Sequence, residues 1–425
     1  MSDNPSDGHN TPTMTYAPND PADMLGAADL VVRKLREAGH VAYFAGGCVR
    51  DLAMDRPASD YDVATSATPD QVIGLFHRTM QVGAKFGVVL VRLKRQQIEV
   101  ATFRTDHDYA DGRRPTGVTF SSPEQDAQRR DFTINGMFFD PIAGQIIDYV
   151  GGQADIAARV VRAIGDPDRR FAEDHLRLLR AIRFAARLNF DIEPATWSAL
   201  RKHAPELRQI SPERVCMELE SILTNVHRAR AVKLTIESGL IDHLWPGSEQ
   251  LRESAESAIR RLRELPEKSG LELALAILLG ELSLPEVEKS VTALRCSNET
   301  IARVCWLVAH QHDFNEPTRL TLADLKLLMA NENFADLLAF FNARLEADGA
   351  DTTACNIIRA RADAIPPEAV KPTPLVNGND LQAMGLKPGP AFKRILERLY
   401  YLQLNEELVE RDQALALAGE LAAKE

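Results

Sequence analysis

The sequence predicts an α+β head carrying a small mixed β-sheet and helices, followed by an extended all-α body and tail. Two observations carry this. Short apolar runs with strand character gather between residues 41 and 149. Beyond Pro167 strand signals nearly vanish, and segments with a 3.6-residue apolar period take over. Pro and Gly punctuate the second region at Asp166-Pro167, Pro246-Gly247, Pro366-Pro367 and Lys387-Pro388-Gly389-Pro390.

In chain order, the apolar runs at 41–45, 88–93 and 98–103 read as strands, and 69–78 and 132–138 as helices. Helical periodicity then marks 175–188, 213–223, 229–238, 254–265, 271–282, 323–328, 333–346 and 390–407. No internal repeat of fixed period is present. The expected organisation is a disordered tail over 1–25, a head over 26–150 and a helical neck over 151–265. A helical body over 266–365 and a helical tail over 366–425 follow.

A chain of 425 residues is long enough for several cooperating domains with a real core. With 45% hydrophobic and 26% charged residues, it has the composition of an ordinary globular protein. Its five cysteines are scattered without a CxxC pair, which argues against a disulfide scaffold or a zinc site and fits a reducing cytosol. The first 23 residues lack the basic start and apolar stretch of a signal peptide. The most apolar segment, 271–282, is too short to span a bilayer. The expectation is therefore a cytoplasmic protein without a membrane or an obligatory protein partner.

The formal net charge of -11 by itself disfavours a nucleic-acid partner. Local charge tells another story. Basic residues concentrate between Lys85 and Arg187, while the stretch from Glu406 to the last residue is acidic. One basic cleft on an acidic body fits this distribution.

Tyr43-Phe44-Ala45-Gly46-Gly47-Cys48-Val49-Arg50-Asp51 reads as strand, tight glycine turn and helix. Two glycines let a backbone approach a ligand closely, and the helix start that follows suits a phosphate. Arg50 in the first turn adds a planar fork of donors. Gly-Gly taken singly fits a plain turn equally well. Ten residues on comes Asp60-Tyr61-Asp62. On a strand, residues i and i+2 share a face, so these carboxylates stand side by side. Like charges that close need a cation between them. Hard divalent ions such as Mg²⁺ take such ligands, and a metal pair can hold the attacking and leaving oxygens of a phosphoryl displacement. A turn cap is the other reading of a D-x-D. Glu99, expected mid-strand among apolar neighbours, is a candidate third carboxylate.

Arg129-Arg130-Asp131-Phe132-Thr133-Ile134-Asn135 reads as a helix start, with Arg130 placed for triphosphate contact and Asn135 a turn and a half onward. The stretch from Phe171 to Phe184 reads as one helix carrying Glu173, Asp174, Arg177 and Arg180. Positions 173, 177 and 180 share a face, and 174 meets 177 at i+3. An arginine held by an acid of its own helix can present directed donors to a base edge. Ordinary intrahelical salt bridges give the same pattern. His310-Gln311-His312-Asp313 looks like half a metal site, but no matching cluster exists elsewhere. Ser-His-Asp and P-loop signatures are absent.

Taken together and in order, these segments resemble the bacterial tRNA CCA-nucleotidyltransferase and poly(A) polymerase family (class II). Gly46-Gly47-x-Val49-Arg50-Asp51 with Asp60-x-Asp62 is similar to its first motif, and Arg129-Arg130-Asp131 through Asn135 to its second. Glu173-Asp174-x-x-Arg177 with Arg180 resembles the motif credited with selecting CTP and ATP. Ile210-Ser211-Pro212-Glu213-Arg214 through Glu218-Leu219 resembles a later structural motif. Residues 376–381 and 385–390 look like a tail segment that contacts tRNA. The likeness spans residues 40 to 415.

The resemblance implies a head with nucleotidyltransferase activity and CCA addition to the tRNA 3′ end from CTP and ATP, with release of pyrophosphate. It implies that Asp60 and Asp62 hold Mg²⁺, with Glu99 as the third catalytic carboxylate. Gly46, Gly47, Arg50, Arg130 and Asn135 then serve the incoming nucleotide. Glu173, Asp174, Arg177 and Arg180 shape its pocket, with Asp174 and Arg177 reading the base. Residues 105–118 resemble a loop that switches C to A addition. Gly136, Ser59 and Asn405-Glu406-Glu407 depart from the usual pattern without removing a catalytic group. No intact His-Asp phosphohydrolase signature is present. Poly(A) polymerase is the alternative, together with partial enzymes adding only A or only CC. Residues 83–88 look more like the tRNA enzymes, and the 105–118 loop speaks against CC-only addition.

Overall fold

The computed structural model describes residues 23–81, 87–106, 117–245 and 248–423. Most of the tail expected over 1–25, the segment 83–86 and the centre of the 105–118 loop lie outside the described residues. The chain forms two compact units, one comprising residues 1–222 and 230–248, the other 223–229 and 249–425.

The first unit opens with helix α1 (Met24–Glu37), capped by the Asp23 carboxylate on the Gly26 N–H. Strand β1 (Ala42–Ala45), helix α2 (Gly47–Ala53), β2 (Asp62–Thr65) and α3 (Pro69–Leu75) follow. Next come β3 (Thr79–Gln81), β4 (Val88–Leu93), β5 (Gln96–Thr102), β6 (Arg104–Asp106) and β7 (Val118–Phe120). Then come α4 (Pro123–Gln128), β8 (Phe138–Asp140), β9 (Gln145–Ile147) and α5 (Gly152–Ala158). Seven strands form one sheet in the order β3-β4-β5-β2-β1-β8-β9. Only β2 and β5 pair in parallel; the other neighbours run antiparallel, so the sheet is mixed as expected. Alternation sends Phe44, Val63, Val89, Val91, Ile98 and Val100 into a core with the apolar stripe of α1, from Ala27 to Leu35. The opposite face buries Ala45, Ala64, Phe103 and Phe138 in a smaller cluster.

The strand at 88–93 and those near 41–45 and 98–103 form as expected. The helix expected at 132–138 does not. Thr133–Asn135 is a single 3-10 turn, and Phe138 opens β8 beside β1. Phe138 and Phe139 are aromatic and fully buried, and sheet pairing outweighs a weak helical period. Arg129 does not start a helix either: it caps the end of α4, which begins with a Ser122–Gln125 capping box and Pro123 at its first position.

Strand β10 (Val160–Val161) leads to α6 (Pro167–Glu173) and α7 (Arg177–Leu188), then β11 (Asp191–Ile192), α8 (Pro194–His203) and α9 (Pro212–Leu223). The helix expected across 171–184 is thus two helices. Asp174 takes an extended backbone (φ -146°, ψ 104°), and its carboxylate accepts the Leu176 N–H. A short acid competing locally for backbone N–H groups is the physical reason for the break. α7 ends at Asn189 in the left-handed region.

The described residues of the second unit form helices joined by turns, with no strand among them. Its helix Leu271–Leu279 is buried all round from Leu273 onward, as its uniformly apolar sequence requires. The segment from Val376 to Ala418 builds a core of its own from Leu381, Ile395, Leu399 and Leu408. Lys326, almost fully buried, ties the helix it lies on to the Leu404 carbonyl and to Glu406, both at 3.0 Å. No described helix is long and apolar enough to cross a membrane.

Candidate active site

An open cleft of about 630 Å³ runs through the first unit. Seven arginines line it: Arg50, Arg129, Arg130, Arg177, Arg180, Arg183 and Arg187. So do five aspartates: Asp51, Asp60, Asp62, Asp131 and Asp174.

One wall is the turn from β1 into α2. Gly46 sits at φ 76°, a left-handed conformation that favours glycine. A Cβ there would stand 3.4 Å from Nη1 of Arg130 and 4.0 Å from an Asp62 carboxylate oxygen. The absent side chain keeps this corner open between a cation and an acid. Asp62 begins β2, level with Ala45, and Asp60 lies just before the strand. The parallel register sets Val63 beside Val100, so Asp62 and Glu99, one residue earlier on each strand, are neighbours on one face. Both are exposed, so Glu99 does not sit among apolar groups as its strand neighbours suggest. Although the residue as a whole is exposed, protein packed around the Asp62 carboxyl strips enough water from it to push it up to about 6, with the negative charges of Glu99 and Asp60 adding to this and Arg130 opposing it. A cluster with this excess of negative charge fits a divalent cation. Among the described residues, no three His, Cys, Asp or Glu side chains converge into a ready metal cage.

A second wall is a chain of charged groups. Arg50 is almost fully buried. Its Nε and Nη2 donate to Asp51 at 2.9 and 2.8 Å, and its Nη1 donates to Oδ1 of Asn135 at 2.8 Å. Asn135 Nδ2 donates to Asp131 at 3.3 Å, and Asp131 accepts Nε of Arg180 at 2.9 Å. Burial opposes ionisation of Asp131, yet the Arg180 charge and its hydrogen bonds hold the carboxyl down at about 2. Arg183 lies 3.1 Å from Glu218 of α9. The Phe184 ring carries Arg183, Arg180 and Arg50 at 4.8, 5.3 and 5.5 Å from its centroid.

Asp126 forms a third hub. It accepts Arg129 Nε at 2.9 Å, Arg130 Nη2 at 3.0 Å and the Arg104 N–H at 3.2 Å. Burial would raise its carboxyl, but Arg130 and Arg129 outweigh that and hold it low. Arg177 donates to Glu173 at 2.9 Å and to the carbonyls of Arg170 and Arg129 at 3.0 and 3.3 Å. The acid that grips Arg177 is therefore Glu173 and not Asp174. Asp174 instead pairs with Arg214 of α9 at 2.9 Å, because the helix break turns it away.

The 42–162 segment matches the model described as "Poly A polymerase head domain", and 189–252 matches "Probable RNA and SrmB- binding site of polymerase A". The chain is 36% identical to a CCA-adding enzyme of Geobacillus stearothermophilus over 384 residues, covering 89% of this chain and 92% of that protein. The chain belongs to the CCA-adding enzyme family. A family member from Streptococcus pyogenes is 34% identical over 374 residues, covering 87% of this chain and 90% of that protein. Among solved structures, the Bacillus stearothermophilus CCA-adding enzyme in complex with CTP superposes with a TM-score of 0.78 at 31% identity, over 94% of this chain and 98% of that one. The Thermotoga maritima CCA-adding enzyme shares the fold, with a TM-score of 0.66 at 22% identity, over 96% of this chain and 97% of that one.

Of the residues that the family resemblance singles out, Gly46, Gly47, Arg50, Asp60, Asp62, Arg130, Asn135, Asp174, Arg177 and Arg180 line one cleft. Glu99 and Glu173 do not line it and act on it through Asp62 and Arg177. Asp131, Arg183, Phe184 and Arg187 also line it without having been singled out. For α7 a signal existed: 180, 183, 184 and 187 follow helical spacing from Arg177. Cys48 lines the cleft too. Its thiol is buried, donates to the Ala45 carbonyl at 3.2 Å and is pushed up to about 12 by that burial, so it is no nucleophile.

Proposed function

We propose that this chain adds CCA to the 3′ end of tRNA, with CTP and ATP as substrates, in the cytoplasm. The observation that carries the reading is the single cleft that joins the Asp60/Asp62 pair to Arg130, Arg50 and the α7 arginines. Membership of the CCA-adding family supports it, and so does the likeness to an enzyme solved with CTP.

In this reading Asp60 and Asp62 hold Mg²⁺, with Glu99 reinforcing the negative potential beside Asp62. The bound cation supplies positive charge for the attacking and departing oxygens. The RNA 3′-hydroxyl gives up its proton to solvent as its oxygen bonds to the α-phosphorus of CTP or ATP, the bond from that phosphorus to the bridging oxygen breaks, and pyrophosphate departs. Arg130 and Arg50 take the triphosphate beside the Gly46-Gly47 turn, where the lack of side chains lets phosphate approach. Asn135 fixes Arg50, and Asp131 fixes Asn135 and Arg180. Glu173 orients Arg177 so that its fork faces a base edge. Asp174, bound by Arg214, contributes an acceptor at the same end. The helical neck over 151–265 presents these groups, and the tail over 366–425 contacts tRNA.

Transfer RNA lacking its terminal CCA, incubated with CTP, ATP or both, tests this. Two C residues with CTP and a completed CCA with both nucleotides are the expected products. Long A-tails would instead make the chain a poly(A) polymerase.

A further inference from the structure

Every other arginine of the cleft already has a carboxylate partner: Asp51, Asp126, Glu173, Asp131 or Glu218. Arg187 has none among the described residues, and its side chain is exposed at the cleft. It stands in the last turn of α7, ten residues past Arg177, or about 15 Å along the helix axis. Arg177 at the other end is almost fully buried and held by Glu173. The helix therefore carries its arginines from an end where each is paired with a carboxylate to an end with one unpaired cation.

An unpaired guanidinium in a cleft is a site for an oxyanion. The reaction read above brings two polyanions together. The triphosphate has its partners at the glycine turn, where Arg50 and Arg130 lie beside Asp62. The remaining polyanion is the RNA strand being extended. We propose that Arg187 binds a phosphodiester of that strand near its 3′ end, and so fixes RNA rather than nucleotide in the cleft. The inference rests on the proposed RNA-extending function. The competing role for Arg187 is purely structural: a cation in the last turn stabilises a helix C-terminus.

The test uses the full chain with Arg187→Ala, Arg187→Glu and Arg187→Lys. Filter binding of tRNA lacking CCA is measured across a KCl series, alongside steady-state kinetics and thermal melts. Arg187→Ala is expected to weaken tRNA binding roughly five-fold and to flatten the log–log salt slope by about one unit. Arg187→Glu weakens it further, and Arg187→Lys retains most of it. The KM for tRNA rises while the KM for CTP and kcat at saturating tRNA stay within two-fold. Unchanged tRNA affinity and salt slope in the alanine and glutamate variants would overturn the proposal. So would a rise in the CTP KM equal to that for tRNA, or a drop in melting temperature with binding intact. If the wild-type chain binds tRNA but adds no nucleotide, the functional reading fails while the Arg187 contact is still decided by the binding series.

Discussion

Asp131 receives the guanidinium of Arg180 across 49 residues of sequence, with Arg180 Nε at 2.9 Å from its carboxylate. The other oxygen of the same carboxylate accepts Asn135, which in turn holds Arg50. One buried acid therefore fixes two cleft arginines, Arg180 directly and Arg50 through Asn135.

The pair gives the protein a defined acid sensitivity. The Asp131 carboxyl is held at about 2, against an ordinary 3.8. Because the folded value lies below the unfolded one, its stabilisation is complete above about pH 4 and is lost as pH falls toward 2. Its size is about 2 kcal/mol. Thermal melts of wild type and Asp131→Asn from pH 7 to pH 2.5 should show a gap that narrows below pH 4. A gap independent of pH would refute this.

Asp62→Asn removes one charge from the Asp60, Asp62 and Glu99 cluster. Relief of like-charge repulsion should leave the metal-free protein at least as stable as wild type. Incorporation of CTP should fall by roughly a thousand-fold or more. Calorimetric melting and a single-turnover assay on the same preparation check both halves. A variant that is destabilised yet still active would contradict the proposed role.

Glu173 anchors Arg177 at 2.9 Å. In Glu173→Gln the charge is gone but the shape remains. The KM for CTP should rise roughly ten-fold, with a smaller change in kcat. Discrimination against UTP should fall, since a loosened fork no longer selects a base edge. Incorporation ratios in mixed nucleotides measure this, and an unchanged ratio would exclude the anchoring role.

Gly152 packs with no room for a side chain. A Cβ would come 2.3 Å from the Thr133 carbonyl oxygen and 2.8 Å from Met137. Asp148 fixes that approach by accepting the N–H groups of Val150, Gly151, Gly152 and Gln153. Gly152→Ala must displace the turn that carries Asn135, at a stability cost of about 1–3 kcal/mol. A fall in melting temperature accompanied by a higher nucleotide KM is expected. Destabilisation with an unaltered KM would show that the turn does not transmit to Arg50.

Much of the site was legible in the sequence because its residues sit in contiguous motifs with turn chemistry. Gly46-Gly47, Asp60-x-Asp62 and Arg129-Arg130 each declare themselves within a few positions. The mixed sheet and the helical remainder followed from the change of apolar period. The path of 129–138 was not legible, because Phe138 and Phe139 owe their strand to pairing with Ala45 and Phe44 of β1, 93 and 95 residues earlier and beyond what local propensity senses. The break at Asp174 was hidden for a related reason. Its carboxylate is committed to Leu176 and to Arg214, and the latter comes from a helix forty residues away. The partner of Asp131 was likewise out of reach, since nothing near it in sequence names Arg180.

The break between α6 and α7 also sets how this region tolerates change in length. Residues 174–176 are joined by local turns and not by a continuous helix. Arg177, Arg180, Arg183 and Arg187, in contrast, stand on one rigid thread. An extra residue in the joint shifts Glu173 and Asp174 against Arg177 but leaves the spacing along the thread intact. The same insertion between 180 and 183 rotates everything beyond it by about 100°. Arg183 and Arg187 would swing out of the cleft while Arg177 stayed in place. Drift in length before the thread therefore strikes at the grip of Glu173 on Arg177, and drift within it at the arginine array itself.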